Sequence, residues 1–261
     1  MIMPIAKEPR LSFEYPHPFS KVYRFKVTLK EVAPPVWRRI EIPETYSFWG
    51  LHVAITDAFG WFDYHLHEFN ILDSRTGKTE RLGVWDQGDP DVKMDWKFSI
   101  SPYFSKRENT EAIHRYDFGD GWEHLIELEG LYPRDAGATY PRCLEGKGTA
   151  PPEDCGGPEG YEDLLKIIDD PTHKEYGHKA DWLRSMKGTD FDPGHFDPEE
   201  VRFDNPDKRW AVVFNRAELT PDLRMWGFFK DLQGCDFVEK GHKQGLQMGA
   251  GGIAVNQRIL V

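Results

Sequence analysis

The stretch AIHRYDFGDGWEHLIELEG, residues 112–130, is where the reading of the fold begins. AIHRYDF and WEHLIELEG read as strands, and GDG between them supplies residues suited to positive φ, as a tight hairpin requires. In the second strand Trp122, His124, Ile126 and Leu128 leave on one face, so His124 belongs to the apolar side. Asp117 and Asp120 sit in the turn, where a short carboxylate accepts bonds from nearby amides. The DFG triplet has no glycine-rich loop, strand lysine or HRD-type loop with it, which excludes a kinase reading.

Working outward, VYRFKVTLKEV alternates: Tyr23, Phe25, Val27 and Leu29 against Arg24, Lys26, Thr28 and Lys30. Pro34-Pro35 breaks the ladder, and a second strand sets Val36, Arg38 and Ile40 opposite Trp37, Arg39 and Glu41. Ser47 is placed to cap a helix over FWGLHVAITDAF, with Gly60 at its end. Phe48, Leu51, His52, Ile55 and Phe59 form its apolar stripe. HLHEFNIL reads as a third strand, with His65, His67, Phe69 and Ile71 on one face.

SRTGKTE is expected to turn, and residues 83–111 to form a long polar connection with one short strand at WKFSIS. Residues 132–157 read as a Pro- and Gly-rich loop, followed by helices at PEGYEDLLKIIDD and KEYGHKADWLRSM and a turn at DPEEV. RWAVVFNR is taken as a strand and TPDLRMWGFFKDL as a short helix. The expected organisation is an irregular leader at 1–20, an α+β domain at 21–203 and a C-terminal extension at 204–261.

A net charge of −11 repels phosphate backbones and argues against a non-specific nucleic-acid binder. No apolar run reaches the roughly 18 residues that span a bilayer. With no apolar signal region, the cytoplasm is the expected compartment, and the three cysteines are expected as reduced thiols.

PPVWRRIEIP, LHVAITDAFGWFDYHLHEF, YDFGDGWEHLIELE, YPRCLEGKGTAPPEDCGGPEGYEDLL and FDPEEV occur in one order. In that order they resemble the plasmid pRiA4b ORF-3-like family across residues 21–203. The resemblance implies a compact α+β roll of β-hairpin, helix and mixed or antiparallel sheet, with further C-terminal helices. It also implies an association with mobile elements, and it supplies no established activity. Where the family pattern reads CPPEDCGG, this chain has Ala150, so a cysteine-based metal site would lack one ligand. No serine nucleophile context or helix-turn-helix supports the resolvase label some members carry.

Two functional readings follow. In one, the domain binds a protein or small-molecule partner through a groove formed by Trp37, Arg38, Arg39, Trp61, Trp122, Asp120 and Asp154. In the other, it is a metal-dependent hydrolase of phosphoesters. There His52, His65, His67 and His124, with Cys143 and Cys155, hold a divalent metal such as zinc, and Asp117 or Glu153 is the base. That reading needs the imidazoles to share one interior. The bland alternatives are buried neutral histidines, acids that shape turns and loops, packed tryptophans, and arginines paired with the abundant acids.

Overall fold

A computed structural model describes residues 18–84, 89, 91–105, 109–187 and 191–214. Its strands are β1 (Lys21–Leu29), β2 (Trp37–Pro43), β3 (His67–Asp73), β4 (Lys78–Gly83), β5 (Val92–Met94), β6 (Glu111–Tyr116), β7 (Trp122–Pro133) and β8 (Arg142–Lys147). Its α-helices are α1 (Phe48–Phe59), α2 (Gly157–Asp169), α3 (Tyr176–Lys187) and α4 (Pro206–Phe214). The strands form one sheet in the order β5-β4-β3-β6-β7-β1-β2-β8. Every pairing is antiparallel except that of β4 with β5, so the fold is α+β with a mixed sheet.

Alternation makes the sheet two-faced. Phe25, Val27, Ile40, Phe69, Ala112, Tyr116, Trp122 and Ile126 are buried on the side that α1 covers. On the opposite side cross-strand ion pairs form a charged lattice: Lys26 with Glu127, Lys30 and Arg115 with Glu123, and Arg39 with Glu129. Partly exposed pairs of this kind contribute little each, about 0–1 kcal/mol. The stability comes from the covered side, where each fully buried Phe, Leu or Ile contributes roughly 1.5–3 kcal/mol.

Helix α1 starts and stops where the sequence places it. The Ser47 hydroxyl accepts from the Gly50 amide at 3.2 Å, and Gly60 closes the helix at φ 67°. Eleven of its twelve residues are buried, because the turn at Asp95–Lys97 and helix α4 also pack against it, Trp49 donating to the Pro206 carbonyl at 2.8 Å.

Several expectations are corrected. The polar stretch 78–83 is strand β4, and β8 emerges from the Pro/Gly-rich segment. WKFSIS forms no strand; Asp95–Lys97 is a 3-10 turn, and Ser99 makes one isolated bridge with Ser47. RWAVVF lies in helix α4, not in a strand. The Asn205 side chain accepts from the amides of Asp207 and Lys208, and Pro206 fits the first helical position, so capping overrides the β-branched run. In the hairpin, positive φ falls on Asp117 and Gly121, at the two ends of the turn. TPDLRMWGFFKDL, the glycine-rich tail and most of the leader lie outside the described residues.

Candidate functional site

Sheet register places the histidines. Across adjacent strands Phe69 pairs with His114, His114 with His124, and His124 with Leu29; one row along, His67 pairs with Tyr116 and Tyr116 with Trp122. His52 comes down from α1 onto this surface, its ring stacked on His67 with centroids 3.4 Å apart. All four rings are buried.

Their nitrogens form a chain. His52 Nε2 lies 2.7 Å from Asp63 Oδ1, His52 Nδ1 lies 3.0 Å from His114 Nε2, and His114 Nδ1 lies 3.2 Å from His124 Nδ1. A carboxylate only accepts, so His52 donates from Nε2 and must accept at Nδ1. His114 therefore donates from Nε2, and His124 donates from Nδ1. One anion thus sets the tautomer of three neutral rings. The chain ends at His124 Nε2, which has no hydrogen-bond partner among the described residues and packs among Phe59 and Trp61.

Burial keeps the rings neutral. It lowers His52 to about 4 despite Asp63, lowers His124 to about 3, and takes His114 well below the ordinary histidine value. For Asp63, burial pulls upward but His52 and Arg209 outweigh it, so its carboxyl sits below the usual range. Arg209 reaches in from α4, 3.4 Å from Asp63 and 2.6 Å from Asp57. His67 separately meets Asp95 at 2.7 Å.

Arg38, alternating inward with Val36 and Ile40, occupies a different niche and is 2% exposed. Nε donates to the Ala58 carbonyl at 2.8 Å, and Nη1 donates to the carbonyls of Trp37 and Lys147. Among the described residues no carboxylate pairs with it, and Nη2 makes no hydrogen bond. Burial lowers the guanidinium to about 10, which leaves it charged at neutral pH. Phe196 stacks on it at 3.8 Å, and Phe59 lies 5.0 Å away. Gly146 on β8 makes room for Phe196: a Cβ there would stand 2.4 Å from that ring.

Arg38, Phe59, Trp61, Phe62 and Phe196 line a cleft of about 630 Å³. Its acids have partners of their own. Asp57 and Asp204 take Arg209, Glu200 takes His195, and Asp197 accepts from the Glu199 amide. Arg202, also on the cleft, bonds only to backbone carbonyls among the described residues.

At the rim, the β6–β7 turn interlocks with the PPEDCGG loop. Asp120 Oδ2 accepts from the Gly156 amide at 3.0 Å, and Gly157 presses so close that a Cβ would meet the Asp120 carbonyl at 2.2 Å. Glu153 is buried, accepting from the Tyr116 hydroxyl and, at 2.6 Å, from the Phe62 amide; burial raises its carboxyl. His65 lies just before β3, with Nε2 3.5 Å from Asp117 Oδ2 and 3.2 Å from Asp154 Oδ1.

The six residues expected to share a metal therefore do not share one place. His52, His67 and His124 lie in the interior, where His52 meets Asp63 and His114, His67 meets Asp95, and His124 meets His114 through Nδ1. His65 misses that interior because residues 61–66 are not strand, so the i, i+2 parity with His67 does not apply. Cys143 Sγ turns to the Glu145 carbonyl and Cys155 Sγ to that of Gly157; both are free thiols. Among the described residues, the one set of three His, Cys, Asp or Glu with donor atoms within 4.8 Å of one another is His65, Asp117 and Asp154.

The expected groove is divided too. Arg38 and Trp61 line the cleft, and Trp61 donates to the Pro151 carbonyl at 2.8 Å. Trp122 is core, Trp37 lies on the charged face beneath Lys26 and Arg39, and Arg39 pairs with Glu129 and Glu145. Ala150 is buried on the cleft wall. His114 and Asp63 went unselected. His114 alternates inward with Ala112 and Tyr116, a visible signal, whereas nothing in the spacing links Asp63 to His52.

Residues 21–200 match the model of a family described as plasmid pRiA4b ORF-3-like protein. The uncharacterized protein y4hQ of Sinorhizobium fredii (strain NBRC 101917 / NGR234) is 34% identical over 194 residues, covering 74% of this chain and 95% of its own. The crystal structure of MM3350 from Methanosarcina mazei Go1, titled a protein of unknown function, is 42% identical with a TM-score of 0.66, covering 71% of this chain and all of that one.

Proposed function

The chain belongs to the plasmid pRiA4b ORF-3-like family, and from that premise we propose that it is a binding domain for a ligand carrying a carboxylate or phosphate on a flat apolar body. The observation that carries this reading is Arg38. A buried guanidinium without a counter-ion is costly unless its charge is met, and its Nη2 hydrogens have no acceptor among the described residues. With Nε and Nη1 held by carbonyls, the two Nη2 hydrogens are the donors left for a carboxylate or phosphate oxygen. Phe59, Trp61 and Phe196 supply apolar surface in the same cleft, and Arg202 adds a cation there. The free thiols support a reducing, cytoplasmic setting.

The test is calorimetric titration of the full chain with phenyl phosphate and benzoate, with benzyl alcohol as the uncharged control. Charged hydrogen bonds of about 1.5–3 kcal/mol predict binding weakened roughly 10- to 100-fold in R38K, which keeps a charge and loses the Nη2 donors. F196A, outside the carbonyl network of Arg38, should weaken it less. Equal binding of benzyl alcohol, or unchanged affinity in R38K and F196A, would overturn the proposal.

A further inference from the structure

We propose that His65, Asp117 and Asp154 form a binding site for a first-row divalent cation of the zinc class, distinct from the Arg38 cleft. The argument concerns which atoms are left over. Asp117 Oδ1 is used by the turn, accepting from the amides of Gly119 and Asp120 at 2.9 and 3.2 Å. Its Oδ2 faces His65. Asp154 holds Oδ1 toward the same nitrogen. His65 Nε2 is itself buried, yet neither neighbour meets hydrogen-bond geometry, so among the described residues it stands within ion-pair range without a hydrogen-bond partner. Three unshared donor atoms converge on one volume.

The spacing suits an ion. Tetrahedral bonds of about 2.0–2.1 Å set neighbouring donors roughly 3.3–3.4 Å apart. The two distances from Nε2 are 3.5 and 3.2 Å, bracketing that value. One imidazole with two carboxylates favours a borderline ion such as zinc over calcium or magnesium, which take oxygen ligands. Three protein ligands leave a fourth position for water.

The surroundings hold the ligands in place. Asp117 and Asp154 both lie at positive φ, 54° and 59°. The Asp117 amide donates to the Leu66 carbonyl at 3.0 Å, and Asp120 clamps the start of α2 through Gly156. Beside the site, Glu153 takes the Tyr116 hydroxyl, whose oxygen also accepts from the His65 amide at 3.4 Å. The two motifs that stand far apart in the sequence, YDFGDG and PPEDCGG, thus each deliver one carboxylate.

The experiment is titration of chelator-stripped full chain with zinc chloride by calorimetry, repeated with cobalt(II) to read the visible spectrum of the bound ion. One equivalent is expected, with binding at least tenfold weaker in D154N and in H65Q. The Asp154 side chain is 61% exposed, so D154N should keep its thermal midpoint without metal. The triple variant C143S/C155S/C235S should bind as the parent does. Uptake below a tenth of an equivalent, binding unchanged in both D154N and H65Q, or binding lost in the cysteine variant would overturn the site. Preference for calcium or magnesium over zinc would overturn the assigned class of ion.

Discussion

In the interior, His52, His114 and His124 commit their ring nitrogens to one another and to Asp63, with only the last Nε2 of the chain left bare. At the rim, His65 holds Nε2 toward two carboxylates and bonds to neither. The residue type is the same and both settings are largely screened from water. The difference lies in how many partners the surroundings provide. Where neighbours use the lone pairs and hydrogens, an imidazole is a structural part; where they leave one over, it is available. The Arg38 cleft follows the rim pattern, with the fork partly satisfied by carbonyls and Nη2 left over.

The contrast breaks most visibly at His114. H114L leaves His52 Nδ1 and the His124 Nδ1 hydrogen buried and unpaired, each costing about 1–3 kcal/mol. With the altered packing, urea unfolding should show a loss of about 3–5 kcal/mol. A loss under 1 kcal/mol would mean the chain is not holding the core.

Acid is the next test. The folded chain keeps His52, His114 and His124 neutral, whereas in the unfolded chain they protonate near 6.5. Below that pH the unfolded state binds more protons, so stability is full above about 6.5 and falls as the pH drops toward 4. Burial raises Asp57 to about 6 and also raises Glu153, and both offset part of the loss. A net loss of about 2–4 kcal/mol between pH 7.5 and 5 is expected. A flat profile over that range would refute neutral rings.

R209M removes the cation from Asp57 and Asp63 and should cost about 2 kcal/mol, read as a lowered urea midpoint. By contrast, H65Q should change the stability of the metal-free chain by less than about 0.5 kcal/mol, because no hydrogen bond is lost at Nε2. Equal losses in H65Q and H114L would erase the distinction between the two regions. The gentlest probe alters nothing: long-range nitrogen-15 spectra should show protons on His52 Nε2, His114 Nε2 and His124 Nδ1.

Alternation made β1, β2, β6 and β7 legible, because inward apolar and outward charged side chains take turns along them, and α1 was legible from its caps, Ser47 and Gly60, although nearly all of it is buried. Strands β4 and β8 escaped notice for the converse reason. KTERLG and RCLEGK lie toward the sheet edges, largely half-covered or exposed, and show no clean period of two. His114 was readable from the same hairpin that exposed His124, since register pairs them directly. The placement of His65 was not, because parity fails where backbone leaves the extended state, and Asp63 at φ 64° is such a departure. Parity grouped Arg38 with Val36 and Ile40, but the expectation that it pairs with an acid fails, because its carbonyl acceptors come from contacts with α1 and β8, and its stacking from Phe196, which no local pattern carries.

Helix α4 begins beyond residue 200, where the family match stops, yet its Arg209 neutralises the acid that orients His52. A homologous chain ending at the equivalent of residue 200 would have to supply another cation there or dispense with the carboxylate. Tail and centre should therefore diverge together among homologues, with replacements at the arginine accompanied by replacements at Asp63 or His52.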